Sequence, residues 1–448
     1  MKRVISLDIW RGIAIMCMIA FHTIEIMVTS YDVLFEFIFS QHFLIMILLS
    51  PLMIAISWRG FFLIISAAGH AYSMQRKFSR ESGRVKILLR QIIGATLLFI
   101  HGLIIQVIWN PYSSLADLIY TGSWNIENYV RFLYFSDAIG NIAISAIITS
   151  IIMFFLTMKN GAKKPVRNAI ILVVLSVIVF ALWQPLELWF TNTTGLTPAN
   201  VRLQTPANLW ESIRLIFYAH VIGYQQSLFP YLGVYFLGTV FGILLSQTRL
   251  NRKKTVIISF VLSFLIAAAG LVLWAIDGFD MAFMSGFMIA PLWFLLVNTA
   301  VQLLILCFSI TMIELSRKKN RNLQKSVKYS SVFRRFGLFA LTMYTLQILD
   351  VVPKLFVGWI MDTDLMGIGI TDNIGLIFLT SLLTIVWWYI ILRLWEKIKY
   401  IGTIEWFFKL FDRAVSRKSF NPMYLIDTEE LLHNVEPVRI TEERKTEK

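Results

Sequence analysis

The chain of 448 residues is 57% hydrophobic and only 15% charged, with a mean hydropathy of +0.69. A soluble domain carries nearer one quarter charged residues, so this composition excludes an ordinary soluble enzyme and indicates a polytopic membrane protein. The net charge of +14 reports membrane orientation before it reports nucleic acid, and the two cysteines, each inside an apolar run, indicate neither a disulfide framework nor a soft-metal site.

Ten membrane-length runs can be drawn, at roughly 4–28, 52–73, 87–108, 137–158, 168–190, 228–246, 255–276, 287–312, 335–353 and 372–394. Basic residues fall in alternate connections. Arg76, Lys77, Arg80, Arg84 and Lys86 follow the second run, Lys159 to Arg167 the fourth and Arg249 to Lys254 the sixth. A dense block from Arg317 to Arg335 follows the eighth, and Lys397, Lys399 and Lys409 follow the tenth. The intervening connections, 109–136, 191–227, 277–286 and 354–371, are nearly free of Lys and Arg. That alternation predicts both termini in the cytoplasm of a cell with the bundle in its plasma membrane. The stretch 33–50 is apolar enough to enter the membrane but is followed at once by Pro51; it reads as a short interfacial helix or as an extra span. The expected fold is an all-α integral membrane protein, a polytopic bundle of ten transmembrane helices, or eleven if 33–50 crosses. Residues 1–416 form that bundle together with an amphipathic interfacial helix within 395–411. Residues 417–448, charge-rich with short apolar pairs such as Leu431-Leu432, read as a mobile cytoplasmic tail.

The first run carries the chemistry. Arg11 and His22 are eleven residues apart, which on a helix returns to nearly the same face, offset by about 20° and about 16 Å along the axis. Such residues are costly in a membrane unless they meet a cavity, a ligand or a partner. Asp8 lies one turn before Arg11 and can orient or neutralise it; a fixed guanidinium suits bidentate contact with a phosphate. His22 can accept a proton from a hydroxyl or amine, and Glu25, three residues on, can orient its ring. His42 is the rival base. His101, beside Gly102, is a second base, a substrate donor or a structural link. His70 and Arg76, toward the cytoplasmic side of the second run, are candidates for donor contact. Arg59, Asp137 and Asn141 are candidates for the acceptor side or the cavity wall. No phosphate loop of the Gly-x-x-x-x-Gly-Lys type, no Gly-x-Ser-x-Gly elbow and no His-Glu-x-x-His occurs, so neither ATP-driven nor zinc-dependent chemistry has local support.

The string Ser6-Leu7-Asp8-Ile9-Trp10-Arg11-Gly12-Ile13-Ala14, with His22 beyond it, resembles the transmembrane acyltransferase superfamily, which includes acyltransferase-3, YeiB-like and heparan-alpha-glucosaminide N-acetyltransferase proteins. Gly337-x-x-x-Leu341-Thr342-x-Tyr344-x-x-Gln347 and Gly402-x-x-Glu405-Trp406 are similar to the C-terminal signature of YeiB-like members, with Thr403 where a proline is usual. The resemblance implies acetyl-CoA as donor substrate, no metal, and transfer of the acyl group to a carbohydrate or lipid-linked acceptor. It gives Arg11 a donor-binding role and His22 a catalytic one. The expected partners are acyl-CoA, the acceptor and membrane lipids, with no nucleic acid; a homo-oligomer is compatible with the pattern. The competing expectation is a transporter or flippase that moves a polar or lipid-linked solute through the same cavity, and a third is a lipid-filled scaffold without catalysis.

Overall fold

The computed structural model describes residues 3–30, 59–80, 83–109, 113–124, 136–196, 208–222, 226–247, 252–277, 291–314, 327–365 and 369–415, with isolated positions between and after them. The described residues are 84% helical and form no strand. Eight of their helices are long and apolar enough to cross a membrane. These are α1 (Ile5–Met27), α3 (Arg84–Ile108), α5 (Ala138–Thr157), α6 (Pro165–Thr194), α8 (Leu228–Leu245), α9 (Arg252–Asp277, apolar from Ile257 to Ile276), α10 (Leu292–Ile313) and α14 (Ile374–Lys397). The chain is therefore an all-helical bundle of multi-pass membrane type.

Two expected spans take another form. The second is α2, Arg59–Arg80, which continues past residue 73. Arg76, Lys77 and Arg80 thus ride on the end of the helix itself and not on a connection. The ninth, drawn as one span over 335–353, is broken into α11 (Ser331–Leu338), α12 (Ala340–Thr345), a 3-10 turn (Gln347–Asp350) and α13 (Val351–Met361). Phe339 and Leu346, at the breaks, leave helical geometry. The helix expected at the interface is α15, Ile404–Val415, and the connections after α3 and α6 hold two short helices, α4 (Ser114–Thr121) and α7 (Leu209–Val221). Most of 33–50, including His42, and all of 52–58 lie outside the described residues.

Local chemistry sets the helix ends. Asp137 caps α5 by accepting from the Gly140 N–H at 2.7 Å, and Asn208 and Asn373 cap α7 and α14 in the same way. Pro165 opens α6 where its missing N–H is harmless, and Gly195 closes it at φ +69°. The N-terminus of α1 is held by Glu314, at the end of α10, which accepts from the Ser6 N–H at 2.8 Å and from the Ser6 hydroxyl.

At the centre stands α8, of which all but Phe229 and Leu244 are buried. Small residues bring its neighbours to backbone contact: a Cβ on Gly238 would lie 2.6 Å from the Ile64 carbonyl oxygen, and one on Gly242 2.3 Å from that of Ala68. Helices α2, α5 and α6 pack around it, and α9 pairs with α10 at the periphery, presenting Phe260, Phe264, Leu271 and Ile276 outward. On the other side α1 crosses α11 and lies beside α14. The last residues of α1 are pinned by the segment ahead of α14, where Gly369 and Ile370 donate to the carbonyls of Ile26 and Met27 at 2.7 and 2.9 Å.

Candidate functional site

The crossing of α1 and α11 is made by two glycines. A Cβ on Gly12 would lie 1.7 Å from the Phe333 carbonyl oxygen, and one on Gly337 would lie 2.4 Å from that of Asp8. This contact, which no larger residue permits, carries Arg11 to the edge of a cavity of about 270 Å³. The α1 wall of the cavity is Arg11, Ile15 and Met18; α2 adds Phe62 and Ser66, α3 Leu98, and α5 Ala138, Ile139 and Ile142. The broken segment contributes Gly337, Leu338, Ala340, Leu341 and Tyr344, and α15 contributes Glu405. The chamber is thus apolar along its length and polar at Arg11, Ser66, Tyr344 and Glu405.

Asp8 is engaged by Arg3, which donates to its two oxygens at 2.7 and 2.8 Å; Arg11 stands 3.8 Å away. Asp8 therefore neutralises Arg11 at a distance without occupying its donors, and Arg11 makes no hydrogen bond among the described residues. Gly69 on α2 leaves it room: a Cβ there would already touch the Arg11 Nη2 at 3.5 Å.

Glu405 is used differently. Its Oε1 accepts from the backbone N–H groups of Leu341 and Thr342 at 2.8 and 3.1 Å, and its Oε2 accepts from the Thr342 hydroxyl. That hydroxyl in turn accepts from the Ile404 N–H at 2.9 Å. The helix break frees N–H groups from helical partners, and the carboxylate satisfies those of Leu341 and Thr342. Burial pushes the Glu405 carboxyl above the usual range, against the opposing pull of those donors. With Glu405 so occupied, Arg11 is the charged group that the chamber offers to a ligand.

Of the residues singled out by sequence, Arg11 lines the chamber. His22 is half-buried and lies one turn beyond Met18 on the stripe Arg11, Ile15, Met18, with Glu25 buried next to it on α1. Asp137 reaches the chamber through Tyr344, whose hydroxyl donates to its Oδ2 at 3.3 Å. His101 meets the broken segment from α3, with its Nε2 3.0 Å from the Thr345 hydroxyl and its ring edge-on to Phe408. A further histidine, His220 on α7, is buried; its Nδ1 sits 2.9 Å from the Ile216 carbonyl, and burial holds its imidazole below the ordinary histidine value, opposed by that carbonyl and by Asp137.

Three candidates are placed elsewhere. His70 lies between Tyr235 and Ser150, each 3.2 Å from one ring nitrogen, and ties α2 to α8 and α5. Asn141 donates to the carbonyls of Gln226 and Ser227 and accepts from Ser145, an interhelical link with every amide group in use. Arg76 turns back onto Tyr72 of its own helix at 2.5 Å. The side chain of Arg59 and all of His42 lie outside the described residues.

Sequence reasoning did not place Tyr344, Glu405 or Ser66 at the site. For the first two the signal was available in the C-terminal signature, whose halves, some sixty residues apart, meet at the Glu405 hydrogen bonds. Ser66 has no sequence signal. Among the described residues no group of His, Cys, Asp and Glu is arranged to hold a metal ion. No family model matches the chain, and no curated protein or solved structure shows significant similarity to it.

Proposed function

We propose that the chain is a membrane-embedded acyltransferase that moves an acyl group, acetyl in the simplest case, from a cytoplasmic acyl-CoA to a hydroxyl or amine of an extracytoplasmic or lipid-linked carbohydrate. The observation that carries this reading is the Arg11 guanidinium, which makes no hydrogen bond among the described residues and stands at the edge of an apolar chamber whose α1 wall leads toward His22. Arg11 grips a donor phosphate bidentately. The chamber keeps water from the thioester. His22 takes the proton of the acceptor, whose oxygen or nitrogen attacks the thioester carbonyl; the tetrahedral intermediate then expels the CoA thiolate, which recovers the proton from the imidazolium. Glu25 holds the ring in register, and the pattern of basic connections supports a cytoplasmic donor side.

Protein in nanodiscs titrated with acetyl-CoA tests the reading. Arg11→Ala weakens donor binding at least tenfold, whereas His22→Ala removes CoA release in the presence of acceptor extracts and leaves donor binding intact. Absence of donor binding, with an unchanged growth phenotype in the His22 variant, sinks it.

A transporter or flippase is the second reading, favoured by one observation: the broken segment carries Asp350 and Lys354 into the interior, both almost wholly buried. Solute flux into proteoliposomes without CoA chemistry selects it.

A further inference from the structure

We propose that Leu431 and Leu432 form a releasable latch on Arg334, and that this latch controls access to the chamber. Arg334, on α11, is 0% exposed, yet among the described residues it makes no ion pair. Its guanidinium donates instead to backbone carbonyls: to Val327 at 3.0 Å, to Leu431 at 2.6 Å and to Leu432 at 3.0 Å. Leu432 is 1% exposed, and Ile426 and Leu431 pack into the apolar cluster of Ile15, Phe336, Phe339 and Tyr400. The stretch expected to be a mobile tail thus places described residues inside the protein.

The anchor points adjoin the chamber. Arg334 directly follows Phe333, whose carbonyl lies against Gly12, and precedes by three residues Gly337, which lines the chamber and on which a Cβ would meet Asp8 and Arg11. On the other wall Trp406, the neighbour of Glu405, donates its indole N–H to the Pro422 carbonyl at 2.9 Å. Described residues of one C-terminal stretch therefore hold both α11 and α15, which bear Gly337 and Glu405. Withdrawal of Leu431 and Leu432 strips a buried guanidinium of two acceptors, a state that is stable only once water or another anion reaches it. Water reaches Arg334 if α11 lifts from α1, and that movement widens the Arg11 edge of the chamber. Because the contacts run to carbonyls and to apolar side chains, release needs no chemical step; a partner that binds the dileucine pair suffices.

The inference rests on the chamber and not on the reaction proposed for it, and its test reads access alone. In full-length protein in nanodiscs, Ser66→Cys in a Cys17→Ala, Cys307→Ala background reports the chamber through its alkylation rate with N-ethylmaleimide. Combined Leu431→Asp and Leu432→Asp raises that rate at least tenfold. Where that variant fails to give a monodisperse protein, a protease site at 417–420, cut after reconstitution and followed by tail removal, gives the same rise. An alkylation rate unchanged after the tail is displaced or removed overturns the latch.

Discussion

Glu405 and Thr342 hold the site together: one carboxylate takes both the backbone N–H and the hydroxyl of a residue sixty-three positions earlier, at the break in the segment from α11 to α13. The contact substitutes for hydrogen bonds that an unbroken helix would make for itself. It also fixes Tyr344, and through it Asp137, against the chamber.

Glu405→Ala leaves buried donors unsatisfied and is expected to lower stability by about 2–3 kcal/mol, within the range for orphaned buried donors. Glu405→Gln keeps an acceptor and costs about 1 kcal/mol. Thermal unfolding in detergent ranks the two; equal melting temperatures for Glu405→Ala and the parent protein rule out the carboxylate as the element that holds the break.

Gly12→Ala places a methyl group 1.7 Å from the Phe333 carbonyl oxygen, where only separation of the two backbones relieves it. We expect a loss of about 3 kcal/mol or failure to fold. Gly69→Ala, whose methyl group would meet Arg11 Nη2 at 3.5 Å, leaves the yield of folded protein unchanged. Size-exclusion profiles of the two variants, compared side by side, check the contrast.

His70 bridges Tyr235 and Ser150 and does not line the chamber. His70→Ala should lower the melting temperature, by the equivalent of about 1–2 kcal/mol, while ligand affinity at the chamber stays at the parent value. A large loss of affinity with intact stability would reassign His70 to the site.

His220 has an imidazole depressed by burial, so its neutral form is the one the fold accommodates. Its contribution is complete above the unfolded value of about 6.5 and is lost as pH falls below that toward the folded value. Melting temperature should therefore decline as pH falls below about 6.5, and His220→Gln should flatten that decline; parallel profiles would refute it.

The spans and the Arg11–His22 stripe were legible because each depends on residues close in sequence: an apolar run, a turn of helix. The broken segment was not. Residues 335–353 read as one apolar run, with no proline before Pro353, and the N–H groups just after the break at Phe339 are met by Glu405, which only tertiary structure brings near. His70 and Asn141 were harder to place for a related reason. A lone polar residue in an apolar run announces a partner without naming it, and for Asn141 the partners are backbone carbonyls 85 and 86 residues away. Chamber and packing link look alike until the fold closes.

The enclosure of α8 has a consequence for biogenesis. A helix that enters the bilayer alone is wetted by lipid on every side, yet here α2, α5 and α6 leave almost none of α8 to lipid, and Gly238 and Gly242 admit neighbouring backbones where an acyl chain would first lie. Lipid must therefore be squeezed from around α8 after insertion. Helices α2, α5 and α6 precede it in the chain and are available to receive it, whereas the α9–α10 hairpin can dock afterward from the side. Assembly in that order wraps the post before the outer wall arrives. A bulky residue at Gly242 would then act during synthesis, stranding α8 in lipid, more than in the finished protein.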